Sequence, residues 1–280
     1  MKKGFTLVEI SLFLAMTGLL FLGVVLGVQN SMFQQKYNDS VQSFSEFLRT
    51  VYSQAINVEN SSTSSGRSNQ AIYGKLVTFG EAKNFEGKNN ANEGSNSKAI
   101  FSYTVIGKID NSFGSGDTLT ELRRLEANVL IDKKDEDGRY GFAGIAEEYF
   151  PRWEAGIETT KGWPYKDFKG ALLIVRHPRS GTVFTYVLEG VTVEVNQERN
   201  TAAAVSPNPL LKFLPKQDGT TTSGHIFEVK QVDFCVDPEA GARKGMRRDI
   251  RIIEGARNAS GVEVIAQDDK AAKIGNLCAD

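Results

Sequence analysis

From Phe5 to Val28 the chain is apolar except for small and hydroxyl residues and a single charge, Glu9. As an α-helix these positions cover roughly 36 Å, more than the ~30 Å of a bilayer's hydrocarbon core. From Phe33 the pattern changes. Apolar residues fall at Phe33, Tyr37, Val41, Phe44, Leu48, Val51 and Ala55, in steps of four and three that draw one stripe down a helix, while Ser, Gln, Asn and Asp fill the other faces. No Pro interrupts either pattern. Residues 5 to 58 are therefore predicted as one rod of roughly 80 Å, with an apolar half at 5–30 and an amphipathic half at 31–58. The stripe is long enough to pack on a sheet and only marginally long for a coiled coil.

Beyond the helix the pattern turns to strands. Residues 57 to 70 and 84 to 98 are rich in Ser, Asn and Gly and read as loops. Stretches 71–79, 99–108 and 127–132 carry β-branched and aromatic residues and read as strands. A hairpin is expected from 171–176 and 182–188 around the turn His177-Pro178-Arg179-Ser180-Gly181, with a further strand at 191–195. A Pro-bearing stretch, 196–224, marks a candidate subdomain boundary. Continuous strands are expected at 226–236, 250–254 and 262–266. The fold class is α+β: one long N-terminal helix on a mostly antiparallel, β-rich head spanning 59–280.

Charge orients this scheme. Lys and Arg total 33 against 34 Asp and Glu, so no basic excess points to nucleic acid. Lys2 and Lys3 precede the apolar run and no cation follows until Lys36, which places the N-terminus in the cytoplasm and the head outside it. A cleaved secretory signal would have a shorter apolar core and a small-residue site at its far end. A plain membrane anchor fits the length but leaves Glu9 unexplained. A carboxylate in an apolar segment costs about 2.5–3.5 kcal/mol on insertion scales. Residues 5 to 35 contain no Lys or Arg, so its partner must come from another chain or from a newly made terminal amine.

The segment Lys2-Lys3-Gly4-Phe5-Thr6-Leu7-Val8-Glu9 resembles the class III signal of type IV pilins and pseudopilins, closely over residues 1 to about 56 and loosely beyond. The resemblance implies that residues 1–4 are a leader, cut between Gly4 and Phe5 by a prepilin peptidase that also methylates the Phe5 amine. It implies that Glu9 pairs with the Phe5 amine of a neighbouring subunit in a filament, and that the amphipathic half packs on a sheet. The implied partners are other subunits, the peptidase, the membrane and the pilus assembly machinery. The implied location is first the cytoplasmic (inner) membrane, as a single-pass N-in precursor, then an extracytoplasmic filament at the cell surface. The large head suggests a minor pilin. A pseudopilin of a type II secretion or DNA-uptake machine is the near alternative, and a membrane-tethered adhesive or ligand-binding protein the distant one. Many pilins carry Pro in the membrane helix. Here Gly18, Gly23 and Gly27 occupy its second half instead, where small residues let helices approach closely.

Little else suggests chemistry, and no enzyme, metal or cofactor is expected. Cys235 and Cys278 form a candidate disulfide, which many pilins have near the C-terminus; two buried free thiols are the alternative. The acidic stretch 132–138 fails as a calcium loop, since Lys133 and Gly144 fall where ligands are required. His177 and His225 lack any Ser or Cys elbow, and the glycines at 138, 141 and 144 match no phosphate-binding fingerprint. Phe150, Trp153, Trp163, Tyr165 and Phe168 crowd one connection and are expected to pack beneath a long loop. Arg243, Lys244, Arg247, Arg248 and Arg251 are a local basic run, expected as a solvated turn and strand edge; DNA binding has no further support.

Overall fold

The computed structural model describes residues 6–57, 70–79, 100–109, 116–129, 146–159, 170–189, 209–215, 226–229, 231–237 and 248–265. Two α-helices, α1 (Leu7–Ile56) and α2 (Thr118–Arg124), accompany eleven strands. These are β1 (Gln70–Thr78), β2 (Ile100–Lys108), β3 (Asn128–Val129), β4 (Ala146–Tyr149), β5 (Gly156–Thr159), β6 (Gly170–Arg176), β7 (Val183–Glu189), β8 (Ile226–Glu228), β9 (Val232–Asp237), β10 (Arg248–Ile252) and β11 (Val262–Ile265). The fold is α+β, with every strand pair antiparallel.

The strands form two sheets rather than the expected one. The first runs β3-β2-β1-β6-β7-β8, with β4 also on β2; the second runs β11-β10-β9-β5. The expected continuous strand at 226–236 is in fact two. β8 pairs with β7 in the first sheet and β9 with β10 and β5 in the second, so the chain changes sheets around residues 229–231. The connection holding Phe150 and Trp153 likewise contains β5 and a 3₁₀ turn at Arg152–Glu154. The hairpin of β6 and β7 is present within a residue of its expected limits. Its turn is closed by His177, whose Nδ1 accepts from the Arg179 and Ser180 amides, and by Gly181 at φ 71°, a left-handed position that suits glycine. At Gly74, in the β1 bulge, a Cβ would lie 2.1 Å from the Ile174 carbonyl oxygen, so only glycine lets β1 and β6 meet there.

The stripe of α1 sits between the two sheets. Tyr37, Val41, Phe44, Leu48, Val51, Tyr52 and Ala55 are buried in one cluster with Val77, Leu172, Ile174 and Val187 of the first sheet and Phe234, Val236 and Ile250 of the second. Polar ties fix its height. The Tyr37 hydroxyl donates to the Val236 carbonyl at 3.0 Å. The Tyr52 hydroxyl bonds Thr185 Oγ1 at 2.8 Å, and that hydroxyl donates to the Ala256 carbonyl, linking α1 to β7 and to the turn after β10. Burial pushes Tyr52 up to about 12.

The other face of the first sheet carries a second core. Leu122 and Leu125 of the α2 segment and Leu210, Phe213 and Leu214 cover Leu76, Leu173, Val175 and Leu188. Within the stretch 196–224, residues 209–215 are described, and Arg123 holds them by donating to the Leu211 and Leu214 carbonyls. Asp117 caps α2 by accepting from the Thr120 amide. The strand expected at 191–195 lies outside the described residues.

Candidate functional site

The N-terminal half of α1 touches none of this. From Leu7 to Met32 its large apolar side chains are exposed, Leu7 at 85% and Leu19 and Leu20 at 71%, and an 18-residue window has a mean hydropathy of 2.3 with nothing buried. By length and composition the helix can cross a membrane. A soluble surface would not leave such an apolar length uncovered. A Cβ at Gly18, Gly23 or Gly27 would meet nothing within 4 Å, so these glycines serve no packing within this chain.

Glu9 is the anion of this segment, and its local role was readable in the sequence but overlooked. It occupies the third helical position after the N-cap Thr6, forming a capping box. The Thr6 amide and hydroxyl donate to Glu9 Oε2 at 2.9 and 3.0 Å, and the Glu9 amide donates to Thr6 Oγ1 at 3.3 Å. The box satisfies donors at the helix start, and the helix dipole favours an anion there. The carboxylate is thus held, exposed, at the end of an apolar rod. The sequence signal was the Thr-x-x-Glu spacing before an apolar run. Gly4 and Phe5 lie outside the described residues.

No family model, curated protein or solved structure matches the chain.

Where α1 enters the head, a polar and aromatic cluster surrounds Asp39. Trp153 Nε1 donates to Asp39 Oδ2 at 2.9 Å, and Arg152 Nη1 reaches both carboxylate oxygens at 3.3 Å. The Trp153 hydrogen bond above all, opposed by desolvation and aided by Arg152, holds the Asp39 carboxyl below the usual range. Lys36 Nζ lies 4.8 Å from the Trp153 ring centroid. Ser40 Oγ donates to the Arg152 carbonyl at 2.7 Å. For Phe150 and Trp153 the expectation of packing beneath a loop is corrected: they are 45% and 54% exposed, and the 3₁₀ turn that carries Trp153 sets its indole against α1 instead. Trp163, Tyr165 and Phe168 lie outside the described residues.

Cys235 is buried in β9 opposite Asp249 and is disulfide-bonded; Cys278, the candidate partner, lies outside the described residues. Of the basic run, Arg251 ion-pairs with Asp233, whose other oxygen accepts from Gln231; Arg243, Lys244 and Arg247 lie outside the described residues. His225, the stretch 132–138 and the three glycines at 138, 141 and 144 also lie outside them. Among the described residues no group of three or more His, Cys, Asp or Glu is placed to hold a metal ion. Lys75 is buried in the first sheet, where desolvation lowers its pKa against the opposing pull of Glu147, and its Nζ donates to Thr104 Oγ1 at 3.3 Å.

Asp249 yields a pH prediction. Burial, reinforced by the Asp233 carboxylate and opposed by Arg251, pushes its carboxyl up to about 6 from 3.8. The folded state therefore binds this proton more tightly than the unfolded state. Its stabilising contribution is complete below about pH 4 and lost as pH rises through about 6. Asp249→Asn should be more stable than the parent at pH 7.5 by about 1–2 kcal/mol, allowing for solvent screening, with the gap closing by pH 4. Urea denaturation of both proteins at the two pH values measures it.

Proposed function

We propose that the chain is a type IV pilin-like filament subunit, stored in the cytoplasmic membrane with its N-terminus inside and assembled through the first half of α1. One observation carries the reading. A fully exposed apolar helix begins, immediately after Lys2-Lys3-Gly4-Phe5-Thr6, with a lone carboxylate held at its N-terminal end, and continues unbroken into a head that grips only its second half. In this reading cleavage after Gly4 creates a cation on Phe5, and Glu9 of an adjacent subunit meets it in a low-dielectric helix bundle. Exposed Gly18, Gly23 and Gly27 then let neighbouring helices approach closely. A simple tether needs neither the acid nor the motif before it. The β-rich head, larger than an abundant fibre subunit requires, fits a minor pilin.

The mature N-terminus tests this directly. Mass spectrometry of the protein from its native membrane should show a chain that begins at Phe5, with or without a methyl on its amine. A chain that retains Met1–Gly4 overturns the proposal.

A further inference from the structure

We propose that Trp153 and Phe150, with Lys36 and Arg152, seat the head on the phospholipid headgroup layer while the subunit is stored in the membrane. The inference rests on the membrane-stored reading given above and adds a second lipid contact, outside the helix, that the motif does not imply.

Three observations support it. The first is height. The last large exposed apolar side chain of α1 is Met32, and Lys36 lies four residues, roughly 6 Å, further along the axis. A headgroup layer is roughly 5–7 Å thick on each side of the hydrocarbon. Trp153, with its ring over Lys36, stands within a few helical turns of the exposed apolar half, and tryptophan rings are enriched at membrane–water boundaries.

The second is the backbone. Trp153 adopts φ 56°, ψ 39°, a left-handed conformation that is uncommon for a bulky residue. The strain is held in place by the Asp39 bond to the indole and the Ser40 bond to the Arg152 carbonyl. These bonds tie the indole edge to α1 and leave Trp153 54% exposed.

The third is chemistry. Phe150 adds a second exposed ring, and two cations stand beside the pair, Lys36 over the Trp153 ring and Arg152 on the Asp39 carboxylate. Aromatic bodies with cationic tips fit the boundary between acyl chains and lipid phosphates.

The chain has two tryptophans, so Trp163→Phe leaves Trp153 as the only one; Trp163→Tyr serves if that variant folds poorly. The full-length chain is placed, one copy per nanodisc, in phosphatidylethanolamine–phosphatidylglycerol bilayers. In one set the lipids are brominated near the glycerol end of the acyl chains, in another near the methyl end. Trp153 emission should shift to the blue and be quenched strongly by the first lipid and weakly by the second. A parallel protein, Leu19→Trp with Trp153→Phe and Trp163→Phe, reports the helix itself and should be quenched most by the deep bromines. If position 19 is quenched and Trp153 responds only to aqueous acrylamide, the headgroup contact is refuted while the membrane-spanning helix stands. If position 19 is not quenched, the membrane-stored reading fails, and the proposal with it. If Trp153 is unquenched in single-copy discs but shifts to the blue in assembled filaments, its occupant is a second subunit and the lipid contact is refuted.

Discussion

Glu9→Ala should abolish filament assembly while leaving the protein inserted in the membrane at its normal level. The carboxylate takes no part in the head's core, and among the described residues its hydrogen bonds are to Thr6. Losing the capping box costs the helix only about 1 kcal/mol, spread over a terminus that frays readily. Assembly is affected differently. With the alanine in place, the Phe5 amine of each incoming subunit is left as an unpaired cation in an apolar bundle. Removing one partner of a buried ion pair costs about 3–5 kcal/mol, more than a hundredfold in the equilibrium for adding each subunit. Glu9→Gln separates the two effects, since an amide retains acceptor capacity for Thr6 but carries no charge. It should assemble as poorly as the alanine variant. Sheared-fibre yield against the membrane-fraction level is the measurement, and normal fibres from either variant would remove the reason for assigning Glu9 to assembly.

The largest expected effect on the head comes from Phe44→Ala. Phe44 is fully buried on α1 between the two sheets. Its ring meets Phe234 of β9 edge-on at 5.6 Å and lies 5.8 Å from Tyr149 of β4, so one side chain joins three elements. Truncation removes the buried ring and leaves a cavity that two rigid sheets close poorly, a loss of about 3–5 kcal/mol. Since domains are commonly stable by only about 5–15 kcal/mol, the head should be unfolded or nearly so at growth temperature. Phe44→Leu should cost much less, about 1–2 kcal/mol, because it refills most of the volume. Chemical denaturation in detergent, followed by tryptophan emission, compares them. Equal behaviour of the two variants would mean that packing volume at Phe44 does not govern the head's stability.

The legibility of this fold follows from the range of its interactions. The stripe from Tyr37 to Ala55 could be read residue by residue because a helix repeats its burial every three to four positions, whatever lies opposite. The hairpin of β6 and β7 could be read because its two strands and turn are adjacent in sequence. The division into two sheets could not. Residues 226 to 236 are rich enough in β-branched and aromatic side chains to read as one strand, although the apolar positions change phase at Lys230-Gln231, and only β7 on one side and β5 and β10 on the other assign their halves to different sheets. Strand preference is a local quantity, whereas the choice of partner is not. The short α2 was lost for a related reason: seven residues give too little periodicity, and the Asp117 cap was its one clear mark. At the candidate site, Glu9 stood out by charge alone. The setting of Trp153 goes with a left-handed backbone at that residue, which composition does not announce.

The unbroken course of α1 has a mechanical consequence. Tyr37 and Tyr52, tied to Val236 and Thr185, stand fifteen residues apart, roughly 22 Å along the axis. A pull on the N-terminal half therefore reaches the head as shear along a long interdigitated seam, opposed by both sheets at once, rather than as peeling of one strand after another. Tension along the rod is shared across the seam, and the head resists extraction as a single piece.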